Sequence, residues 1–171
     1  MLRGENINLR ALEPSDLDVL YNWENDTSIW KVSQTIAPFS KNILAKYLEN
    51  AHQDIFTAKQ LRLMIEKDNT PIGTIELFDF DPVNLRCGIG IWIVDEENRR
   101  KGYAKESLTL IIKYAFSNLH LNQIYCNISS RNQASINLFG SLDFQLVGVK
   151  SKWNKTHEGW EDELLFQLLC D

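Results

Sequence analysis

The stretch Ile91–Ala104, IWIVDEENRRKGYA, constrains the fold of this chain more than any other. Its apolar start reads as a strand and its middle as a polar turn. Arg99, Arg100 and Lys101 then lead into Gly102. Directly beyond, Ala104, Leu108, Ile111, Ile112, Ala115 and Leu119 recur at spacings of four, three, one, three and four residues. That is the stripe of a long helix laid on a core. A strand therefore feeds a cationic, glycine-bearing turn that opens a helix. The first helical turn has N–H groups without intrahelical partners and carries the positive end of the helix dipole. With three cations beside it, such a turn suits a phosphorylated ligand, the plainer alternative being a solvated surface. Gly102 precedes Tyr103 rather than Lys-Ser/Thr, and no Gly-x-Gly-x-x-Gly occurs, so the P-loop and dinucleotide fingerprints are absent.

The remaining elements follow from period and punctuation. Ile7–Ala11 alternates as a half-buried strand, and Glu13-Pro14-Ser15-Asp16 opens a helix running to about Trp23. Asn25–Ser28 is a turn cluster, and the segment through Phe39 reads as irregular. Ser40 caps a second helix with Ile43, Leu44, Tyr47, Leu48 and Ala51 on one face. Leu61–Lys67, Ile72–Phe80 and Arg86–Val94 are strands joined by tight turns, an antiparallel meander. After the long helix, Gln123–Ile128 is an apolar strand that a crossover of this kind sets parallel to its neighbour. A short helix over Asn132–Leu142 and two strands, Phe144–Trp153 and Trp160–Leu168, complete the chain. The order β-α-α-β-β-β-α-β-α-β-β predicts an α/β fold: a mixed, mostly antiparallel central sheet with helices on both faces.

Composition narrows the function. A chain of 171 residues, 44% hydrophobic, suits one domain over residues 1–171, and its net charge of -5 argues against nonspecific nucleic-acid binding. The start lacks the apolar run of a signal peptide, and no stretch approaches a membrane span. Cys87, Cys126 and Cys170 are odd in number without C-x-x-C spacing, the pattern of thiols in a reducing cytoplasm. His52, His120 and His157 have no ligand spacing, so no metal is expected.

The run Arg99-Arg100-Lys101-Gly102-Tyr103-Ala104 resembles the Gln/Arg-x-x-Gly-x-Gly/Ala signature of the GCN5-related N-acetyltransferases. A second segment, Asn132-Gln133-Ala134-Ser135 with Phe139 and Leu142-Asp143-Phe144, resembles that family's Asn-x-x-Ser/Ala…Tyr…Leu-Gly-Phe pattern. The predicted element order is similar to the family's across the whole chain. Leu9-Arg10-x-Leu12-Glu13-x-x-Asp16 and Gly73-x-Ile75-Glu76-Leu77 look most like the spermidine and other diamine acetyltransferases and the ribosomal-protein α-amino acetyltransferases; Gly159-x-x-Asp162-Glu163 looks like the latter. The resemblance implies acetyl-CoA as cofactor, with its pyrophosphate on the Arg99–Ala104 turn. It places the pantetheine arm along the main chain of Trp92, Ile93 and Val94, and adds Asn132, Ser135 and Phe139 to the cofactor site. It implies a small-molecule or peptide amine as acceptor and allows a homodimer, while the acidic balance and the lack of an apolar span predict no nucleic-acid or membrane partner.

Acetyl transfer needs a deprotonated amine, because an alkylammonium of pKa ~10.4 has no lone pair. It also needs a donor at the carbonyl oxygen, for which the N–H groups of Ile93 or Val94 are candidates. The position of the family's tyrosine acid is Phe139, and that of a strand glutamate found in some relatives is Gly88. Glu76 is then the best base, through a water, with Phe78 and Phe80 expected on its face and Asp79 on the opposite one; an exposed strand acid is the plain alternative. Trp30 and Phe39 are candidates to line the acceptor site, and Glu24 and Asp26 to hold a second ammonium. The vacancies at Phe139 and Gly88 also fit a non-catalytic acyl-CoA-binding sensor or assembly subunit.

Overall fold

The computed structural model describes residues 1–30 and 35–170. Eight strands form in chain order: β1 (Leu2–Arg3), β2 (Asn8–Ala11), β3 (Leu61–Lys67), β4 (Thr70–Asp81), β5 (Arg86–Ile93), β6 (Gln123–Ser129), β7 (Gln145–Thr156) and β8 (Gly159–Leu169). The helices used below are α1 (Leu17–Glu24), α2 (Lys41–Asn50), α3 (Ile55–Ala58), α4 (Tyr103–Ser117) and α5 (Gln133–Gly140). One sheet holds all the strands in the order β1-β2-β3-β4-β5-β6-β8-β7. Every pairing is antiparallel except β5 with β6, the pair joined by the crossover through α4.

The two faces of the sheet bury different sets of side chains. Leu63 and Ile65 of β3, Ile75 and Leu77 of β4, and Ile89 and Ile93 of β5 pack with Leu108, Ile111 and Ala115 of α4 and Phe139 of α5. Met64, between Leu63 and Ile65, points the other way and meets Leu20 of α1 and Leu48 of α2. Strand alternation alone produces this division. The helices cap as their sequences direct: the Ser40 hydroxyl accepts Ile43 N–H at 3.2 Å, and Asn132 Oδ1 accepts Ser135 N–H at 3.1 Å.

The structure departs from the sequence reading in three places. The helix expected from Pro14 begins as a 3₁₀ turn over Pro14–Asp16. There the Asp16 carboxylate accepts Glu13 N–H at 2.8 Å while both its oxygens take the Arg10 guanidinium, at 2.7 and 2.8 Å. Two short elements, β1 and α3, were not expected. A two-residue strand carries no period to read, and α3 exists because Asp54 accepts the N–H groups of Phe56 and Thr57. The third departure lies in β4, where the register shifts between Phe78 and Asp81 and Asp79 takes φ 49°. An extra residue at such a bulge flips every later side chain to the other face. Phe80 therefore enters the α4 core beside Leu77, not the face of Glu76. Asp79 is correspondingly turned toward the Glu76 face, where it accepts the Tyr125 hydroxyl at 3.2 Å.

Candidate active site

The pairing of β5 with β6 covers Arg86 with Gln123, Cys87 with Ile124 and Gly88 with Tyr125, and goes no further. Yet β5 continues to Ile93 and β6 to Ser129. Beyond Gly88 and Tyr125 the strands part, and the facing edges of a central sheet are left without each other. Backbone N–H and C=O groups there demand partners. A linear ligand with amide groups, lying in the wedge, supplies them as an added strand would.

The wedge opens toward the cationic turn. Gly102 has φ 88°, a conformation that a residue with a Cβ adopts only at a cost, and it is the N-cap of α4. Arg100 (φ 61°) and Lys101 are exposed around it. Arg99 is used differently from its neighbours: its Nε donates to Ile93 O at 3.1 Å and its Nη2 to Val94 O at 2.7 Å. Its side chain thus pins the strand end to the turn rather than standing free for a phosphate. Tyr103 opens the helix with its ring 5.7 Å from Lys67 Nζ.

The two oxyanion candidates are separated by one hydrogen bond. Val94 N–H donates to Ile72 O on β4 at 3.0 Å, so it is spent inside the sheet. Successive residues of a strand present their N–H groups to opposite neighbours. Ile93 N–H is therefore directed to the β6 side, into the wedge, while the Ile93 side chain is buried in the α4 core. Trp92 lies on the opposite face, its ring 5.9 Å from Trp23 in an edge-to-face pair.

That opposite face holds a polar row. Arg62 on β3 registers with Glu76 on β4, and Glu76 registers with Gly90 on β5. A Cβ built on Gly90 would lie 3.5 Å from Glu76 Oε1, so the carboxylate reaches the edge of the wedge. Gln60 donates to Glu76 Oε2 at 2.8 Å. Arg62 Nη2 donates to Glu24 Oε1 at 2.5 Å and to Thr74 Oγ1 at 3.3 Å, and its buried Nε has no partner among the described residues. Leaving such a donor unpaired costs about 1–3 kcal/mol. Burial opposes the Arg62 charge, and the neighbouring Glu24, Tyr47 and Glu76 more than offset it, so its pKa is raised. Burial also pushes the Tyr47 phenol above its usual value, with Arg62 pulling the other way. Tyr125 is pushed up to about 12 by burial and by Asp79, and stays protonated at neutral pH.

Several expected residues prove to be occupied. Glu24 is engaged by Arg62 in an ion pair. Asp26 is exposed and closes a turn by accepting Ser28 N–H at 2.9 Å. Trp30 Nε1 donates to Glu24 O at 2.9 Å, and the backbone of Phe39 is held at both N–H and C=O by the Asn25 amide, at 2.8 and 3.0 Å. Both aromatics are thus tied near the end of α1; the irregular segment between them lies partly outside the described residues. Phe139 is in the core, edge-to-face with Phe144 at 5.1 Å, and Ser135 stands beside the Asn132 cap. Arg62, Gln60 and Tyr47 were missed. For Arg62 the signal was present: a cation inside the apolar run Leu61–Ile65 needs a buried partner.

Gly88 has a steric explanation. A Cβ there would fall 2.3 Å from the Phe78 ring, which also packs edge-to-face on Tyr125 at 6.1 Å. Gly88→Ala is expected to cost about 1–3 kcal/mol of unfolding free energy by overpacking. Pairing it with Phe78→Leu should recover part of the loss in a urea titration.

An acetyltransferase (GNAT) domain model matches residues 6–145. The SPbeta prophage-derived uncharacterized N-acetyltransferase YokL of Bacillus subtilis is 30% identical, over 96% of this chain and 90% of its own. The spermidine N(1)-acetyltransferase of Vibrio cholerae is 26% identical, over 82% of this chain and 80% of its own. A crystal structure of spermidine N-acetyltransferase from Vibrio cholerae, in complex with CoA and spermine, superposes with a TM-score of 0.86 at 23% identity, covering 97% and 96% of the two chains. With the family model spanning most of the sequence and the wedge, glycine turn and helix N-terminus in its order, this chain belongs to the GNAT acetyltransferases, enzymes that carry an acetyl group from acetyl-CoA to an amine.

Proposed function

We propose that the acceptor is a primary amine, a polyamine-like small molecule or a protein N-terminus, which approaches from the face carrying Arg62, Glu76 and Trp92. The observation that carries this is the placement of Glu76, in register with Gly90 at the wedge and on the face opposite α4. Acetyl-CoA, when bound, supplies an activated acyl thioester. The chain would hold it through the main chain of Trp92 and Ile93, the turn Arg99–Ala104, and the Asn132–Ser135 start of α5. Ile93 N–H is the donor for a carbonyl oxygen in the wedge. Glu76, through a water, accepts the proton that the ammonium must lose. Phe139 offers no hydroxyl, so the thiol, of pKa ~8.5, leaves as the thiolate.

The named substrate of the Vibrio cholerae relative favours a polyamine. We place the enzyme in the cytoplasm as one domain. Cys87 and Cys126, which stand outside any disulfide, are in keeping with a reducing compartment; burial pushes each thiol up to about 12. Among the described residues no helix is long and apolar enough to cross a membrane, and no cluster of metal-ligating side chains occurs. A homodimer is supported by Leu146, Val147, Val149 and Trp153, exposed on the edge strand β7.

Thiol release from acetyl-CoA, followed against spermidine, putrescine, aminoglycosides and N-terminal peptides, tests this reading. An amine-dependent signal identifies the acceptor class. A flat response, with coenzyme A binding shown separately, would overturn these acceptors and favour the sensor.

A further inference from the structure

The acceptor face carries several charged groups, and their pairing is uneven. From β3 comes Arg62, from β4 come Glu76 and, past the bulge, Asp79, and from the end of α1 comes Glu24. Tyr47 of α2 adds a phenol. Glu24 is engaged at 2.5 Å by Arg62, and both side chains are largely buried, at 12% and 17% exposure. Asp79 takes the Tyr125 hydroxyl. Among the described residues Glu76 has only the neutral Gln60 amide as a hydrogen-bond partner, although Arg62 is its direct cross-strand neighbour.

We propose that Arg62 sets the charge selectivity of the acceptor pocket, by cancelling Glu24 so that of these two carboxylates Glu76 is the one left available to the reacting ammonium. This rests on the reading that the amine enters over Glu76. With the Arg62 guanidinium adjacent, the pocket accepts the reacting cation at Glu76 and disfavours a second cation close to the arginine, because like charges a few ångströms apart in a partly dry site repel more strongly than in water. A diamine is therefore taken with its distal ammonium held away from Glu24. The arginine cannot be explained as a stabilising choice alone, since its Nε is buried without a partner among the described residues and a well-packed apolar side chain would avoid that cost.

The test compares a short diamine, putrescine, with a monoamine of equal length, n-butylamine. Each is read as kcat/KM with acetyl-CoA saturating, and as equilibrium binding to the coenzyme A-loaded protein by calorimetry. Arg62→Gln releases the Glu24 carboxylate, and the diamine-to-monoamine ratio should rise on the order of tenfold, carried by KM and by binding rather than by kcat. Arg62→Lys, which keeps the charge, should hold the ratio within about threefold of the unsubstituted protein. Glu24→Gln alone leaves Arg62 uncompensated and should move the ratio the opposite way. Adding Glu24→Gln to Arg62→Gln should return it to the starting value. A merely structural arginine would depress both amines together and leave the ratio still.

An unchanged ratio in a cooperatively melting Arg62→Gln protein would overturn the proposal. Should that variant fail to fold, an unchanged ratio in Glu24→Gln would do the same. The reading of Glu76 is separated by Glu76→Gln. If that variant keeps both rate and amine binding, the amine does not enter over Glu76, whatever the Arg62 variants show.

Discussion

Glu76→Gln is expected to lower kcat/KM for the amine by about 10²- to 10⁴-fold, the usual range for removing a positioned general base. The substitution is nearly isosteric, and its carbonyl oxygen can still accept the Gln60 amide that now bonds the carboxylate at 2.8 Å. The fold should therefore be undisturbed, and coenzyme A affinity should be unaltered, because the cofactor groups proposed on β5 and the Gly102 turn are not touched. What the amide cannot do is take up a proton or attract the ammonium by charge, so the loss should fall on kcat and on amine binding. Steady-state kinetics beside a calorimetric coenzyme A titration check this. A fall of less than about threefold would remove Glu76 as the base and leave it a strand acid. Asp79, which the bulge turns to the same face, would then be the next carboxylate to replace, although Tyr125 already donates to it.

Arg10→Met is expected to cost about 3–5 kcal/mol of unfolding free energy, the range for breaking a buried ion pair from one side. Arg10 holds Asp16 through two nitrogens, at 2.7 and 2.8 Å, and Glu66 through Nε at 2.7 Å. It thereby ties β2, β3 and the turn before α1 together. Asp16 is only 3% exposed. Burial alone would raise its pKa, but the Arg10 guanidinium and the Glu13 N–H hold it below the ordinary value of 3.8. The sign follows from linkage: a lowered folded pKa gives stability that is present above the unfolded pKa and lost as the pH falls through the folded one. The unsubstituted protein should thus gain stability as the pH rises through the acid range. In Arg10→Met the guanidinium no longer opposes burial, the folded pKa rises, and the Asp16 contribution shrinks. Urea unfolding at several acid pH values reads both effects. Equal pH slopes in the two proteins would show that Asp16 is not held by Arg10.

The main elements were legible because each carries a local signal. The α4 stripe repeats at helical spacing beside a glycine turn, and β3 to β5 alternate between tight turns. Gly102 could be placed because its φ of 88° and the helix it opens are both local properties. Glu76 was reached by strand position, but its neighbours were not. The alternation rule put Phe80 beside it and Asp79 away from it, and one extra residue at Asp79 reversed both. No feature of the local sequence announces that residue, since Asp79 carries no glycine and sits in an apolar, aromatic run.

By itself the sequence determined the order of elements, the cationic turn at a helix start, and the chemistry absent at Gly88 and Phe139. Periodicity, turn residues and the loss of a hydroxyl are properties of neighbouring residues, and they survive without knowing what packs on what. Tertiary structure alone decided which groups are available to a ligand. It spent Val94 N–H on Ile72 and left Ile93 N–H toward the wedge, turned Arg99 back onto its own strand, and matched Glu24 with Arg62 across 38 residues of chain. Which groups meet in a hydrogen bond or an ion pair is chosen by register and by the packing of α1 on the sheet, neither of which is written in any one segment.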